Sequence, residues 1–90
     1  MQEALRLAPP SPNPARSASA LSFAVKEEAE ATVAVYNTLG QRVKTLYDGF
    51  PTAGESQRVR VGTDGLSSGT YFIRLEAAGK TKTERLTVVR

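Results

Sequence analysis

The chain has 90 residues, with 12 basic and 9 acidic side chains, a net charge of +3, and neither cysteine nor histidine. A chain of this length forms one small domain that hides only about 60–65% of its unfolded surface. Lack of cysteine excludes disulfides and thiol nucleophiles, and lack of histidine removes the usual general base and the commonest metal ligand. No apolar run approaches the roughly 18 residues of a membrane span, so none is predicted.

The first predicted strand is a short alternating stretch over 3–7, and a connector with four prolines in seven residues follows over 8–14. Proline fixes φ and lacks a backbone N–H, so no regular ladder can continue through this connector. Apolar residues on both sides predict that the connector bridges two strands of one domain.

Alternation of apolar and polar residues predicts strands over 20–25 and 32–36. The charged segment between them, 26–30, is too short for a stable helix and is predicted to be a turn. Further strands are predicted over 41–47 and 56–61.

Two last strands are predicted over 70–77 and 81–89, which brings the total to about seven. Short strands separated by turn residues every ten residues or so predict an all-β, Ig-like antiparallel β-sandwich. No ten-residue window has convincing helical periodicity. The predicted core contains Leu21, Phe23, Val33, Val35, Val43, Val59, Val61, Tyr71, Ile73, Leu75 and Val88.

Two matched blocks, 33–43 and 66–75, each join a turn glycine to a run of β-type residues. In each block a glycine, Gly40 or Gly69, is predicted to close a four-residue polar turn. Asn37 at the first position and Gly40 at the fourth suit a type I turn whose last residue is left-handed. We therefore expect both glycines to be left-handed and to fix the strand register.

The carboxylates do not point to a catalytic or metal site. Glu27, Glu28 and Glu30 lie in a five-residue turn, where they face water. Asp48 and Asp64 each precede glycine, and Asp-Gly is first of all a turn dipeptide. We expect no enzyme activity and no metal site.

Basic residues are spread along the chain. Arg58 and Arg60 share a strand face, and three more basic residues lie in the last hairpin, 80–85. Side by side, these groups would form a basic patch, but nucleic-acid binding also needs aromatic residues interleaved on that face. No nucleic-acid partner is predicted.

Two of the three tyrosines, Tyr36 and Tyr71, are expected in the core, each with its hydroxyl reaching a backbone group. An aromatic platform that binds carbohydrate is the alternative for these residues.

Four motifs in a fixed order resemble the type A C-terminal sorting domain of cargo proteins of the type IX secretion system. Each motif alone is mostly turn chemistry, whereas the four in order make a specific pattern that covers nearly everything from Leu5 to Arg90. The motifs are Ser11-Pro12-Asn13-Pro14, the run from Val35 to Val43, the run from Leu66 to Leu75, and the run from Leu86 to Arg90.

The resemblance implies an Ig-like domain that follows a cargo domain and is neither catalytic nor cofactor-dependent. Residues 1–90 would be a single C-terminal sorting domain, a fragment of a larger secreted protein. The outer-membrane translocon would read it after passage through the periplasm, and the cargo would be secreted or attached to the cell surface. In many members a surface transpeptidase then removes the domain and joins the cargo to anionic lipopolysaccharide.

The resemblance also assigns the residues of the sorting motif. Where the family often closes with a lysine pair, this chain has only Lys82 and Arg90 as approximate substitutes. The sorting-motif residues are Pro12, Asn13, Pro14, Gly40, Gly69, Tyr71, Lys82, Val88, Val89 and Arg90.

A second resemblance is to the Ig-like domain of flagellar hook-capping proteins. It rests on Gly69-Thr70-Tyr71 and on the run from Val43 to Leu46. That domain usually carries a tryptophan-aspartate pair before the glycine block, and residues 61–65 contain no tryptophan. The alternative function is therefore an accessory Ig-like module of a secreted protein, either carbohydrate-binding or structural.

Overall fold

The computed structural model of the chain describes residues 4–90, which contain seven strands and no helix. The strands form two antiparallel sheets, one with the order β1-β2-β5 and the other with the order β4-β3-β6-β7. This confirms the all-β fold and the number of strands. The strands are β1 (Leu5–Leu7), β2 (Ala18–Val25), β3 (Ala31–Tyr36), β4 (Arg42–Gly49), β5 (Gln57–Gly62), β6 (Gly69–Ala77) and β7 (Lys80–Val88).

The two sheets are held together by side chains from alternate strand positions, as the period of two requires. Burial of one such side chain contributes about 1.5–3 kcal/mol. Phe23 of β2 meets Tyr47 of β4 edge to face across the two sheets, with ring centroids 5.1 Å apart. The buried cluster consists of Leu5, Ala15, Leu21, Phe23, Val25, Ala31, Val33, Val35, Val61, Leu66, Tyr71, Ile73, Leu75, Ala77, Leu86 and Val88.

The core prediction is wrong for Val43, whose side chain is 41% exposed. Strand β4 lies at the edge of its sheet, and its register against β3 shifts twice, between Val33 and Ala34 and between Val35 and Tyr36. Each shift inserts an extra residue and changes which face the following side chains occupy. Of the other predicted core residues, Val59 is half-buried against the core and the rest are buried.

The proline-rich connector passes from one sheet to the other. Ser11 pairs with Ala20 of β2, its N–H donating at 2.8 Å and its carbonyl accepting at 2.9 Å. Ala15 instead pairs in parallel with the end of β7, donating to the Thr87 carbonyl at 2.8 Å and accepting from the Val89 N–H at 2.9 Å. The connector therefore bridges strands of a single sandwich, as predicted.

The sandwich measures 37 × 23 × 23 Å, and the register separates its loops between two ends. Tyr36 lies opposite Phe72, and Gly69 lies opposite Val88, so β3 and β7 end where β6 begins. We call this the distal end, and we call the opposite end, with the β6–β7 hairpin tip, the proximal end. The distal end comprises residues 12–17, 37–41, 62–70 and 88–90, and the proximal end comprises residues 4, 26–30, 50–56 and 78–79.

Within residues 4–90, no helix is long and apolar enough to cross a membrane.

Candidate functional site

The predicted motif residues gather around the distal end, although they come from segments up to 78 positions apart. The connector, the β3–β4 turn, the start of β6 and the end of β7 all supply members. Lys82 is the exception, because it lies opposite Leu75, nearer the proximal end. The fold thus brings the other nine residues to one end of the molecule, and Lys82 lies apart from them.

Asn13 uses its side chain to bind the outer edge of β7. Its Nδ2 donates to the Arg85 carbonyl at 3.0 Å, and its Oδ1 accepts from the Thr87 N–H at 2.9 Å. One amide thereby satisfies a donor and an acceptor of the edge, as a neighbouring strand residue would. The flanking residues are Pro12 and Pro14, whose preceding peptide bonds are cis. The middle residue of the first motif therefore covers part of an edge strand.

The β3–β4 turn has the predicted geometry. The Gly40 N–H donates to the Asn37 carbonyl, and the Asn37 N–H donates to the Gln41 carbonyl, both at 3.0 Å. Asn37 Oδ1 also accepts from the N–H groups of Leu39 and Gln41. Gly40 has φ +83°, a left-handed conformation that a Cβ disfavours. The turn leaves the Leu39 side chain 81% exposed at the distal end.

The second turn differs from the prediction. It is closed by a hydrogen bond of 2.9 Å from the Leu66 N–H to the Thr63 carbonyl, and its left-handed glycine is Gly65, with φ +79°. Gly69 has φ +151° and begins β6 opposite Val88. The prediction placed this turn too far along the chain, at Gly69 instead of Gly65, because each of these glycines follows polar residues that suit a turn. Gly69 has a positive φ that favours glycine, as predicted, but it is a strand residue and does not close the turn.

Arg90 binds this second turn. Its backbone N–H donates to Ser68 Oγ at 2.9 Å, and its Nη1 donates to the carbonyls of Thr63 at 2.7 Å and Leu66 at 3.3 Å. The buried Thr63 hydroxyl in turn donates to the Ser17 carbonyl at 3.0 Å, just before β2. The Arg90 guanidinium is thus engaged in a network that links both sheets.

Tyr71 packs in the core with its hydroxyl donating to the Ser67 carbonyl at 2.8 Å, as predicted. Tyr36 is different, because it lies on the outer face of sheet β4-β3-β6-β7. Its neighbours Val33 and Val35 are fully buried, and alternation turns Tyr36 the other way. Tyr36 is therefore buried, as predicted, but it lies outside the core cluster, and its hydroxyl meets Arg42 instead of a backbone group.

Two arginines cover the Tyr36 ring. Arg42 donates to the Tyr36 hydroxyl through Nε at 3.3 Å and Nη2 at 3.2 Å, and the guanidinium carbon of Arg74 lies 4.1 Å from the ring centroid. The side-chain interaction with Tyr36 raises the pKa of Arg74 above its usual value, against a smaller lowering by burial, and Glu76 adds to the rise. The covered ring offers no open stacking surface, so a carbohydrate platform is not favoured here.

The same outer face carries a row of four side chains across the sheet. Arg42, Tyr36, Phe72 and Arg85 lie opposite one another in turn on β4, β3, β6 and β7. Cross-strand neighbours of this kind contact each other directly, and a guanidinium over an aromatic ring contributes about 0.5–2 kcal/mol. Arg85, at the end of the row, is exposed beside the outer edge of β7.

The basic residues of β5 and of the last hairpin are not brought together. Arg58 and Arg60 lie on an edge strand of one sheet, whose neighbour across the sandwich is β4, whereas residues 80–85 lie on the edge strand of the other sheet. In the part of the chain that the structure describes, no three acidic, cysteine or histidine side chains are grouped to hold a metal ion.

A family model described as the secretion system C-terminal sorting domain matches residues 11–89 of the chain. The match includes strands β2 to β7 and every predicted motif residue except Arg90. No curated protein and no solved structure matches the chain. The Ig-like and hook-capping relations therefore stay predictions.

Proposed function

The chain belongs to the family of secretion system C-terminal sorting domains, which are sorting signals for type IX secretion, and we propose that its distal end is the surface read by the outer-membrane translocon. A sorting domain of this kind is attached to a cargo protein that leaves through the outer membrane for the cell surface or the extracellular space. In our proposal the cargo domain precedes residue 1, and both pass through the periplasm.

The observation that carries this proposal is the position of the motif residues relative to the cargo. Ala4, the first described residue, accepts a hydrogen bond of 2.9 Å from the Lys26 N–H at the proximal end. A cargo domain joined ahead of this point would lie beside the proximal loops. The distal end would then remain uncovered and accessible to a receptor.

The network at the distal end explains why a motif there would serve recognition. Asn13 and Arg90 each hold a backbone segment by hydrogen bonds, and Gly40 permits the positive φ of the β3–β4 turn, so that the distal loops are held in one arrangement. A surface held rigid before binding loses less conformational entropy when a partner docks. The exposed Leu39 side chain gives that surface an apolar contact point.

We propose that the domain works by binding alone, with no catalytic step and no cofactor. A surface transpeptidase is the second proposed partner. Since the cargo junction would lie before β1, this partner would act near the proximal end while the translocon holds the distal end. Two partners could then engage the two ends at the same time.

The test is to fuse residues 1–90 behind a fluorescent periplasmic reporter in a host that has the type IX system. We expect the intact domain to deliver the reporter to the surface and Arg90→Glu to reduce delivery, because a carboxylate cannot donate to the two loop carbonyls. Arg6→Glu is the matched control, since it makes the same charge change on an exposed residue near the proximal end.

Circular dichroism and thermal melting of both variants test whether each stays folded. Equal loss of delivery for the two arginine variants would contradict a distal recognition surface. If the intact fusion stays in the periplasm and the purified domain binds a polysaccharide array, the domain is an accessory module instead.

A further inference from the structure

The outer edge of β7 has a covered part and an uncovered part. Along β7, Asn13 and Ala15 bind the backbone groups of Arg85, Thr87 and Val89. These three residues are all odd-numbered. β7 runs antiparallel to β6, so its residues direct their N–H and carbonyl groups alternately toward β6 and toward the outer edge. Earlier odd-numbered residues of β7 therefore also direct their backbone groups outward.

The uncovered part runs from Thr81 to Arg85. The N–H and carbonyl groups of Thr81 and Thr83, and the N–H of Arg85, point away from β6, and in residues 4–90 no backbone group bonds to them. All three residues are exposed. Five outward backbone groups in register form a template on which an extended chain can add as a further strand.

Two of the other edge strands are less suited to strand addition. β1 has only three residues and continues into the proline-rich connector, and β4 is interrupted by two register shifts against β3. Short strands, prolines and bulges are the usual protections of a sheet edge. β5 is the remaining edge, and there Lys44 Nζ already occupies the Gly62 carbonyl at 2.7 Å.

Charge identifies the kind of strand that would fit. Residues 80–85 contain Lys80, Lys82 and Arg85 but only one acidic residue, Glu84. A second copy of the chain would place like charges opposite one another across the new pair, which is unfavourable. An acidic strand would instead place opposite charges there and would be attracted before contact. Its side chain opposite Arg85 would extend the row that runs from Arg42 to Arg85.

The chain itself already uses this edge in the way that we infer. The segment from Asn13 to Ala15 adds to β7 in parallel and supplies the missing backbone partners of 85–89. An incoming strand would continue that cover toward the proximal end and would stop at Arg85, whose carbonyl Asn13 holds. The available site is therefore five residues long.

We propose that residues 81–85 of β7 bind an acidic, extended peptide segment of the export machinery, which adds to sheet β4-β3-β6-β7 as a fifth strand. This proposal rests on the sorting function and names the chemistry of one partner. It places that contact along the outer edge of β7, between the β6–β7 hairpin tip at the proximal end and the part of the edge that Asn13 covers.

Amide hydrogen exchange measured by NMR on the 90-residue chain tests the register. In the free chain, the amides of Lys82 and Glu84 should be protected because they face β6, whereas those of Thr81, Thr83 and Arg85 should exchange quickly. The probe is a synthetic peptide of alternating glutamate and valine, and the control peptide has lysine in place of glutamate.

With the acidic probe, we expect Thr81, Thr83 and Arg85 to gain protection and the amides of β5 to remain unchanged. The lysine peptide should leave all of them unchanged. Protection that appears on β5 instead, protection that is the same for both peptides, or no protection at all would each overturn the proposal. Sedimentation of the chain alone adds a further check, because self-association through β7 would show that a second copy is the occupant.

Thr83→Pro removes one outward N–H without touching a bond to β6, and proline is tolerated at such edge positions. Losing one such hydrogen bond should weaken probe binding about tenfold. Thr83→Val keeps the N–H and should bind as the parent chain does. If Thr83→Pro fails to fold, Arg85→Glu provides the second variant, which should weaken the acidic probe and strengthen the lysine peptide.

The secretion assay separates this proposal from the sorting function. If the intact fusion reaches the surface and Thr83→Pro reaches it equally well, the docking edge is wrong and the sorting function stands. If the intact fusion itself is not delivered, the sorting function fails for this chain, whatever the peptide binds. Loss of delivery with Thr83→Pro but not with Thr83→Val supports the edge.

Discussion

The two ends of the sandwich are built differently, although both consist of loops between the same strands. At the distal end, side chains bind backbone groups far away in sequence, as Asn13 binds β7 and Arg90 binds the turn that ends at Leu66. At the proximal end, the described contacts are mainly single backbone bonds, such as that from the Gly54 N–H to the Val25 carbonyl at 2.8 Å. The comparison shows that the motif residues outside the alternating strand pattern hold the loops. The apolar residues at alternate strand positions build the core.

The largest effect is expected from replacing left-handed glycines. Gly40→Val at the distal end and Gly79→Val at the proximal end both place a β-branched residue at a positive φ, +83° and +73°. No atom lies within 4 Å of a Cβ added at either position, so backbone strain alone should destabilise each variant. We expect about 1–3 kcal/mol in each case, measured by urea denaturation.

This pair separates stability from recognition. At equal stability, surface delivery in the fusion assay should fall further for Gly40→Val than for Gly79→Val. Equal delivery by the two variants would contradict the proposal that the distal end, and not the proximal end, is recognised.

The next effect concerns Asn13. Asn13→Ala leaves the Arg85 carbonyl and the Thr87 N–H without their partner, and we expect a loss of about 1–2 kcal/mol in the free energy of unfolding. Thr32→Val, which removes only the weak bond of 3.5 Å to Asp48 near the proximal end, should change it by less than about 0.5 kcal/mol. Chemical denaturation measures both, and similar losses would mean that Asn13 does not stabilise the edge.

Ser19 gives a prediction of opposite sign. Its side chain is 3% exposed and its Oγ has no hydrogen-bond partner, close to the distal end of β2. Removing an unsatisfied buried hydroxyl should stabilise the fold, so Ser19→Ala is expected to raise the free energy of unfolding by about 0.5–1 kcal/mol. Ser22→Ala, at a half-buried position of the same strand, should have a smaller effect in the same measurement.

The smallest effect distinguishes charge from geometry at Arg90. A lysine keeps the positive charge but lacks the planar group that reaches two carbonyls. We therefore expect Arg90→Lys and Arg90→Met to lose similar stability, about 0.5–1 kcal/mol each. If Arg90→Lys keeps the stability of the parent chain in thermal melts, charge matters more than the shape of the guanidinium.

The sequence was most informative where period-two alternation is regular. It predicted seven strands, the β3–β4 turn and nearly all of the core, because burial of one face fixes the phase of each strand. Val43 failed because two bulges in β4 change that phase, and the sequence of β4 alone contains no signal for them. Tyr36 is buried, but on the outer face of its sheet, and its position directly after Val35 already indicated that face.

The motifs predicted which residues belong to the candidate site, but they did not predict the contacts that these residues make. The bond from Asn13 to β7 joins residues 72 positions apart, and the bond from Arg90 to Thr63 joins residues 27 apart. The residue types of a turn do not predict contacts of this kind. These contacts depend on the order of the strands and on where the connector passes from one sheet to the other. The choice between Gly65 and Gly69 failed for a related reason, because both fit a turn until the pairing of β6 is known.

The passage of the chain from one sheet to the other has a mechanical consequence. The segment at Ala15 runs parallel to β7, and both head toward the distal end. If a receptor grips the distal end while a cargo pulls on the proximal end, the bonds from Ala15 to Thr87 and Val89 are loaded in shear. They must then break together instead of one after another, as they would in a zipper. Traction on the cargo is resisted first by the pairing of β1 with β2 and then by these bonds, which lie next to the residues that we expect the receptor to hold.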